Sequence, residues 1–529
     1  MSGRHGATRV RLADALVVGL HALVLLTAAA VPVGAVVLAL AKAAGDPEAG
    51  ALAVNWSRWG ALLRQTGAVA IVAVLVTLAF ATPLALLAAR TDLPGRRVLL
   101  GLAVVGASTP VYIWAVFVFG LVPLWAVNGS VWVCGALYGL TATPLVILLL
   151  VRALRETDRA LEDTALLDAA PRTVLLRVSL PMVRWALLAG ALCVLLMVAT
   201  DFTLSDLVVV RTFAEEVYLA YQLDPRRAGP LLTALPLLAA CAGLLALAER
   251  CWRDRVMQET ARFGDPPQVF RLGRARRAVG AVCGALMLGT VAVPMAALAR
   301  RLEVGPRLIR SLAEVWPDAR SSLVLGAIAA TLLSLPALGL AWHATRRGRA
   351  PRLTRAACVL LLATPAPVTG ITLIELLNRD AFAAVYDSPA IVVVAYFVRF
   401  LGLAVLLLIP ALRRAPDDLV AQARLDGCGA AGLWRHVAWP AGARTLGLVW
   451  VIQFVLCLGE VAASKLVVPP AVPLLSVRAF TLLHFGVYHD LAVLALVGAG
   501  LAVPPSLVLL SGARRSVPAP WAKSVLPGI

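Results

Sequence analysis

The chain has 529 residues, 61% of them hydrophobic and only 15% charged, with a formal net charge of +19 and a mean hydropathy of +0.88. That apolar surface exceeds what one soluble core could hide, so the composition excludes a soluble globular protein and describes an integral membrane protein. The apolar runs are long and continuous, and a spanning helix takes about 20 such residues, so the fold class is an all-α polytopic membrane protein rather than a barrel.

The first run, residues 15–41, follows Arg4, Arg9 and Arg11. A secretory signal has an apolar region of about 7 to 15 residues, so this longer run reads as a retained span. Further runs lie near 67–89, 98–122, 131–151, 185–203, 230–248, 278–299, 321–342, 356–377, 389–411, 445–463 and 489–511. They predict about twelve spans, six in each half. Residues 250–277 carry eight arginines with Gly264, Pro266 and Pro267, and read as the linker between a first domain, 1–262, and a second, 263–529. Most Lys and Arg fall in the segments that are cytoplasmic if the N-terminus is inside, which predicts both termini in the cytoplasm. The positive charge then reports topology and attraction to lipid headgroups. Because it is spread over loops, nucleic acid is not an expected partner.

The eight cysteines occur singly, without a Cys-x-x-Cys pair, and the six histidines are dispersed, so no metal site is expected. The chain has no Walker-type phosphate loop and no nucleophile elbow. It is expected to hydrolyse nothing by itself and to need no cofactor, its energy coming from a partner or an ion gradient.

Two polar islands interrupt the spans at equivalent places. The first, Asp163-Thr-Ala-Leu-Leu-Asp-Ala-Ala-Pro-Arg-Thr-Val-Leu-Leu-Arg-Val-Ser-Leu-Pro181, lies within 154–184. The second, Ala421-Gln-Ala-Arg-Leu-Asp-Gly-Cys-Gly-Ala-Ala-Gly-Leu-Trp-Arg-His-Val-Ala-Trp-Pro440, lies within 412–444 and is one residue longer between its aligned ends. Alignment pairs Ala165 with Ala423, Asp168 with Asp426, Ala169 with Gly427 and Pro181 with Pro440. The surrounding spans repeat as well: Tyr138 aligns with Tyr396, Thr109-Pro110 with Thr364-Pro365, Asp201 and Ser205 with Glu460 and Ser464, and Arg211 with Arg478. A duplication with parallel topology accounts for this and places a route between two halves related by a pseudo-two-fold axis.

The islands resemble the EAA loops of binding-protein-dependent ABC importer permeases, in which Glu-Ala-Ala is followed by a glycine and later by Leu-Pro. Asp163 stands for the glutamate in the first copy, and Ala421 replaces it in the second. The resemblance implies a type I importer permease fold. It also implies a docking knob at each island, formed by Asp163, Ala165, Asp168, Ala169 and Pro181 and by Ala423, Asp426, Gly427 and Pro440, gripped by two copies of a cytoplasmic ATP-binding subunit. A glycine permits a sharp turn, and a proline opens a helix at its first turn. Alanine at 169 is strained if that turn needs φ > 0 and tolerated if the glycine serves close packing. The packing explanation is expected, with a negative φ at Ala169.

Acids inside spans are costly unless they face water, cargo or a partner, so Asp201 and Glu460 are candidate route residues, with Ser205, Arg211, Ser464 and Arg478 beside them. The competing reading is local bonding to backbone, or a pair of Glu460 with Lys465 or Arg478. Glu375 and Arg399 are expected to pair. The stretches Asp201 to Tyr218, Tyr396 to Leu401 and Glu460 to Arg478 look like those of fused two-domain ferric iron permeases. Thiamine, sulfate, polyamine and phosphonate permeases are close alternatives, and a secondary transporter is a more distant one. The resemblance implies a bacterial inner-membrane location and a periplasmic substrate-binding protein as partner, with the selectivity for iron held by that protein.

Overall fold

A computed structural model describes Gly19 and residues 24–26, 29–45, 55–114, 128–157, 159–224, 229–253, 269–300, 302–303, 305–346, 348–413, 417–485 and 488–514. These residues are overwhelmingly helical. Eight of their helices are long and apolar enough to cross a membrane, or ten if each of two bent pairs is one span. Of the twelve expected spans, the run 98–122 passes after Trp114 into residues outside this set, and the run 278–299 is a helix over Arg276–Ala299.

In chain order, the first half comprises α1 (Val24–Gly45), α2 (Trp56–Arg90), α3 (Arg96–Ser108), α4 (Val131–Arg155), α5 (Arg159–Asp168), α6 (Pro171–Met182), α7 (Arg184–Thr200), α8 (Thr203–Leu207), α9 (Phe213–Leu223) and α10 (Gly229–Arg253). The second comprises α11 (Arg276–Ala299), α12 (Pro306–Ala344), α13 (Arg349–Ala363), α14 (Ala366–Leu377), α15 (Ala390–Arg413), α16 (Asp417–Leu425), α17 (Ala430–Leu433), α18 (Trp439–Gly459), α19 (Ser464–Val467), α20 (Leu475–Phe485) and α21 (Tyr488–Arg514). Among the described residues the order from α2 onward recurs from α12 onward, except for α14, whose place in the first half lies largely outside the described residues. At 1.5 Å per residue, the 35 residues of α2 and 39 of α12 reach about 50–60 Å, well beyond a hydrocarbon core of about 30 Å.

The tightest packing in the first half joins α2 to α4. Gly135 and Gly139, one turn apart on α4, lie against the α2 backbone, and a Cβ on them would stand 2.9 Å from the Val69 carbonyl oxygen and 2.7 Å from that of Ala73. Small residues allow such approach where lipid gives no hydrophobic drive between helices. The first helix of each half leans on the other half. Gly34 of α1 faces Leu376 and Thr372 of α14, Lys42 of α1 meets Glu375 at 2.7 Å, and Gly280 of α11 sits on Pro94.

The span expected over 356–377 is not continuous. α13 and α14 meet at 103°, because Thr364 is extended (φ −73°, ψ 120°) before Pro365. A proline disfavours helical conformation in the residue preceding it. The aligned Thr109 (φ −80°, ψ 124°) ends α3 before Pro110 for the same reason.

Candidate functional site

Each island is a pair of short helices joined by a turn, with the second helix running into a span. In α6, residues Leu175–Ser179 form a π-helical turn, with the Leu180 N–H donating to the Leu175 carbonyl. The second island repeats this over Trp434–Ala438, where Trp439 donates to Trp434. The cause is the proline that follows each turn: Pro181 and Pro440 lack an N–H and their rings crowd the carbonyl four residues back, which an extra residue in the turn relieves. Pro440 opens α18 as expected. Pro181 instead precedes a 60° bend at Val183, after which α7 begins.

The two turns differ. Gly427 has φ +83° and follows α16 in a Schellman arrangement: its N–H donates to the Arg424 carbonyl at 3.0 Å, and the Cys428 N–H donates to Ala423 at 2.9 Å. A Cβ on Gly427 would meet nothing within 4 Å. Ala169 is not among the positive-φ residues, and its N–H donates helically to the Ala165 carbonyl at 3.0 Å. The negative φ of Ala169 is the expected one, but the packing explanation fails at Gly427, whose glycine serves conformation. The first copy, one residue shorter, turns through extended Ala170 (φ −63°, ψ 148°) and enters α6 at Pro171.

Asp163, Asp168, Pro181, Asp426, Gly427 and Pro440 are exposed, while Ala165, Ala169 and Ala423 are half-buried. Asp163 accepts from Arg159 at 3.2 Å on the same helix. Two residues that the sequence reading passed over stand out most at the tips: Leu167 and Leu425, in aligned positions, are 84% and 88% exposed. The reading also missed what holds the first island. Arg90, the last residue of α2, and Glu162 are both fully buried, with Nη1 to Oε2 at 2.8 Å and Nη2 to Oε1 at 2.7 Å. Ser179 donates to Oε1 at 2.7 Å, and Arg90 also bonds the Thr157 hydroxyl. An arginine closing an apolar run and a Glu-Asp pair opening the island were the available signals.

The aligned route residues meet within each half. Tyr138 donates to the Asp201 carbonyl at 3.1 Å, and the Tyr396 hydroxyl lies beside Ser464. Both acids act on their own chain. Asp201 accepts from the Thr203 N–H at 2.7 Å. Glu460 is buried, and accepts from Ala463 N–H at 2.9 Å and, through its other oxygen, from Ser464 N–H at 2.9 Å and Ser464 Oγ at 2.6 Å. Each carboxylate therefore caps the one-turn helix that follows, α8 or α19, which is the local-bonding reading rather than a pair with Lys465 or Arg478. Ser205 donates to the Phe202 carbonyl and accepts from Thr212.

Arg399 does not pair with Glu375, whose partner is Lys42. It donates to the Thr364 carbonyl at 2.9 Å, at the break of the α13–α14 pair, and to Thr200 Oγ1 of the first half at 3.4 Å. Thr364 and Thr200 both end helices, so this cation sits on two negative dipole ends that meet between the halves. On the opposite side of this contact, Gly459 faces Pro110, and a Cβ on the glycine would stand 3.6 Å from it.

Arg211 and Arg478 are not equivalent in space. Arg211 is exposed, whereas Arg478 on α20 meets Asp318 of α12 at 2.7 Å. The caps fix the register of the outer helices. The Phe213 N–H that starts α9 donates to Thr66 of α2 at 2.9 Å, and the Leu475 N–H that starts α20 donates to Ser322 of α12 at 2.8 Å. Arg478 is thus the counterpart of Glu216, which pairs with Arg58 of α2. The ion pair keeps its place in both halves with its charges exchanged, which a comparison by residue type cannot align.

At the end of the bundle opposite the islands, Asp206 of the first half meets His484 Nε2 of the second at 3.0 Å, while His484 Nδ1 faces the Phe480 carbonyl at 2.9 Å. Two acceptors on one ring favour imidazolium, and the hydrogen bond to Asp206 raises the His484 pKa above its ordinary value. Lys465 lies over the Phe480 ring at 4.5 Å, and Phe480 stands edge-on to Phe202 of the first half.

Residues 81–250 match the family model described as binding-protein-dependent transport system inner membrane component. The match runs from within α2 to α10 and includes the first island, and it supports an ABC importer permease with a substrate-binding protein and an ATP-binding subunit as partners. No curated protein matches the chain significantly. Together with the long apolar helices, the match supports a multi-pass inner-membrane protein.

Proposed function

We propose that the chain is a fused two-domain permease of the ferric iron type, with domains 1–262 and 263–529. Two cytoplasmic ATP-binding subunits dock on the islands, and a periplasmic binding protein delivers cargo at the opposite end. The observation that carries this is the recurrence, in two halves of one chain, of a pair of short helices with the same π-helical segment and proline and an exposed leucine at each tip. Closure of the ATP-bound pair draws the islands together, rotates the halves and parts the outer contact of Asp206 with His484; hydrolysis reverses it. The iron assignment rests on the stretches around Asp201, Tyr396 and Glu460. Their carboxylates cap helices, so cargo selectivity falls to the binding protein and the chain provides a low-affinity passage. Uptake of labelled ferric iron, thiamine and sulfate by cells with and without the chain tests the assignment. Iron uptake should be lost and the others kept; loss of thiamine or sulfate uptake with iron unaffected would reassign the cargo, and uptake independent of any ATP-binding subunit would favour a secondary transporter.

A further inference from the structure

Arg399 lies within the span α15, where a charge is costly unless the fold uses it. Its two bonded partners belong to different halves: the Thr364 carbonyl, at 2.9 Å, is in its own, and Thr200 Oγ1, at 3.4 Å, is in the first. Asp201 follows Thr200 directly, and Arg399 stands close enough to attract its carboxylate. Glu460, the aligned acid of the second half, stands close enough to repel it. The fold thus brings two acids towards each other where the halves meet and sets a guanidinium against one of them. Away from water such repulsion is strong, and a cation offsets it. The aligned place in the first half is neutral: Thr141 stands there and donates to the Tyr138 carbonyl at 2.9 Å, within its own helix.

Satisfying the Thr364 carbonyl at the α13–α14 break needs only a donor, and a role confined to the second half would end there. The contact with Thr200 and the attraction of Asp201 reach the first half instead, and the planar fork of an arginine can hold both sides at once. We infer that Arg399 is a positioning residue that clasps the two halves together by offsetting the repulsion between the acids at their interface. Parting of the halves breaks the Thr200 contact and keeps the Thr364 one, so Arg399 travels with the second half. That the clasp opens and closes once in each transport cycle rests on the permease reading.

Thiol alkylation of the full chain in nanodiscs, with the native cysteines replaced, reads the opening of the interface without any partner. Ala462→Cys is the reporter, because Ala462 of the second half is fully buried in a cluster made mostly of first-half residues. Ala337→Cys, fully buried in the cluster of the second half, is the control. Arg399→Met should speed alkylation at position 462 about tenfold, the size expected for losing a charge-assisted hydrogen bond across the interface, and leave the control unchanged. Adding Asp201→Asn, which keeps an oxygen to accept from the Thr203 N–H, should reverse most of that rise. Arg399→Lys keeps the charge and should stay within about threefold of wild type. No rise at position 462, an equal rise at position 337, or a rise that survives Asp201→Asn would overturn the inference. If Arg399→Met does not fold, Thr200→Val, which removes the bonded hydroxyl and no charge, should give a rise of about threefold, and its absence would equally overturn it. Failure of the wild-type chain to bind an ATP-binding subunit would instead remove the permease reading and the cycle, leaving the clasp to be decided by the alkylation alone.

Discussion

Replacing Gly427 by alanine isolates the conformational cost of one island's turn. The residue sits at φ +83° and an added methyl meets nothing within 4 Å, so the substitution introduces no clash. Holding an L-residue in the left-handed region costs about 1–2 kcal/mol, which lowers the ratio of the native turn to an opened Schellman closure by roughly 5- to 30-fold. Titration of an ATP-binding subunit against the chain in nanodiscs should show the apparent Kd rising by up to that factor for Gly427→Ala, and further for the β-branched Gly427→Val. Ala169→Gly is the matched control, since its position already has negative φ, and it should change the Kd by less than about twofold. An unchanged Kd for Gly427→Ala, or equal effects at the two positions, would refute the reasoning.

Three further outcomes are expected. Val209 is the only non-glycine with positive φ among the described residues, at +56° in the closing turn of α8, so Val209→Gly should raise thermal stability in detergent by the equivalent of about 1 kcal/mol; an unchanged or lower Tm would mean that the turn carries no strain. Glu460→Gln turns one of the two acceptor oxygens into a donor facing an N–H group and should lower stability by about 1–3 kcal/mol with transport falling in step; lost transport at full stability would restore a cargo role. The outer contact of His484 should depend on pH. Because its folded pKa is raised, its stabilisation is present below the ordinary histidine value and is lost as pH rises through the folded one. The groups facing it are Asp206 and Lys465. Cross-linking of cysteines placed across the halves near this contact should therefore become less efficient from pH 6 to 8, and His484→Gln should abolish the trend; a pH dependence surviving in that variant would assign it elsewhere, Glu215 being the nearest alternative, with burial pushing it up to about 8.

The helical class and the repeat were legible because both are written in hydropathy and in aligned prolines, threonines and tyrosines. Thr364-Pro365 was visible as a repeat but not as a 103° break, since the apolar run continues across it and periodicity does not register one extended residue. The islands were found through small residues and a terminal proline, yet the groups that hold them were not. Arg90 looked like a boundary arginine, and Glu162 was hidden beside Asp163, which turned out to be exposed. Likewise, Arg478 and Glu216 share a place only in three dimensions, through the Thr66 and Ser322 caps that set the register of the outer helices. Residue identity aligned the two halves best where both kept the same chemistry, and failed where the same place carries the opposite charge.

The central claim is that an ATP-driven partner moves two matched islands against each other. Spin labels at Leu167→Cys and Leu425→Cys, measured with an ATP-binding subunit and a non-hydrolysable nucleotide, address it most directly. The account expects the distance between the labels to shorten when nucleotide is added and to recover after its removal; a distance indifferent to nucleotide, with the ATP-binding subunit bound, would contradict it.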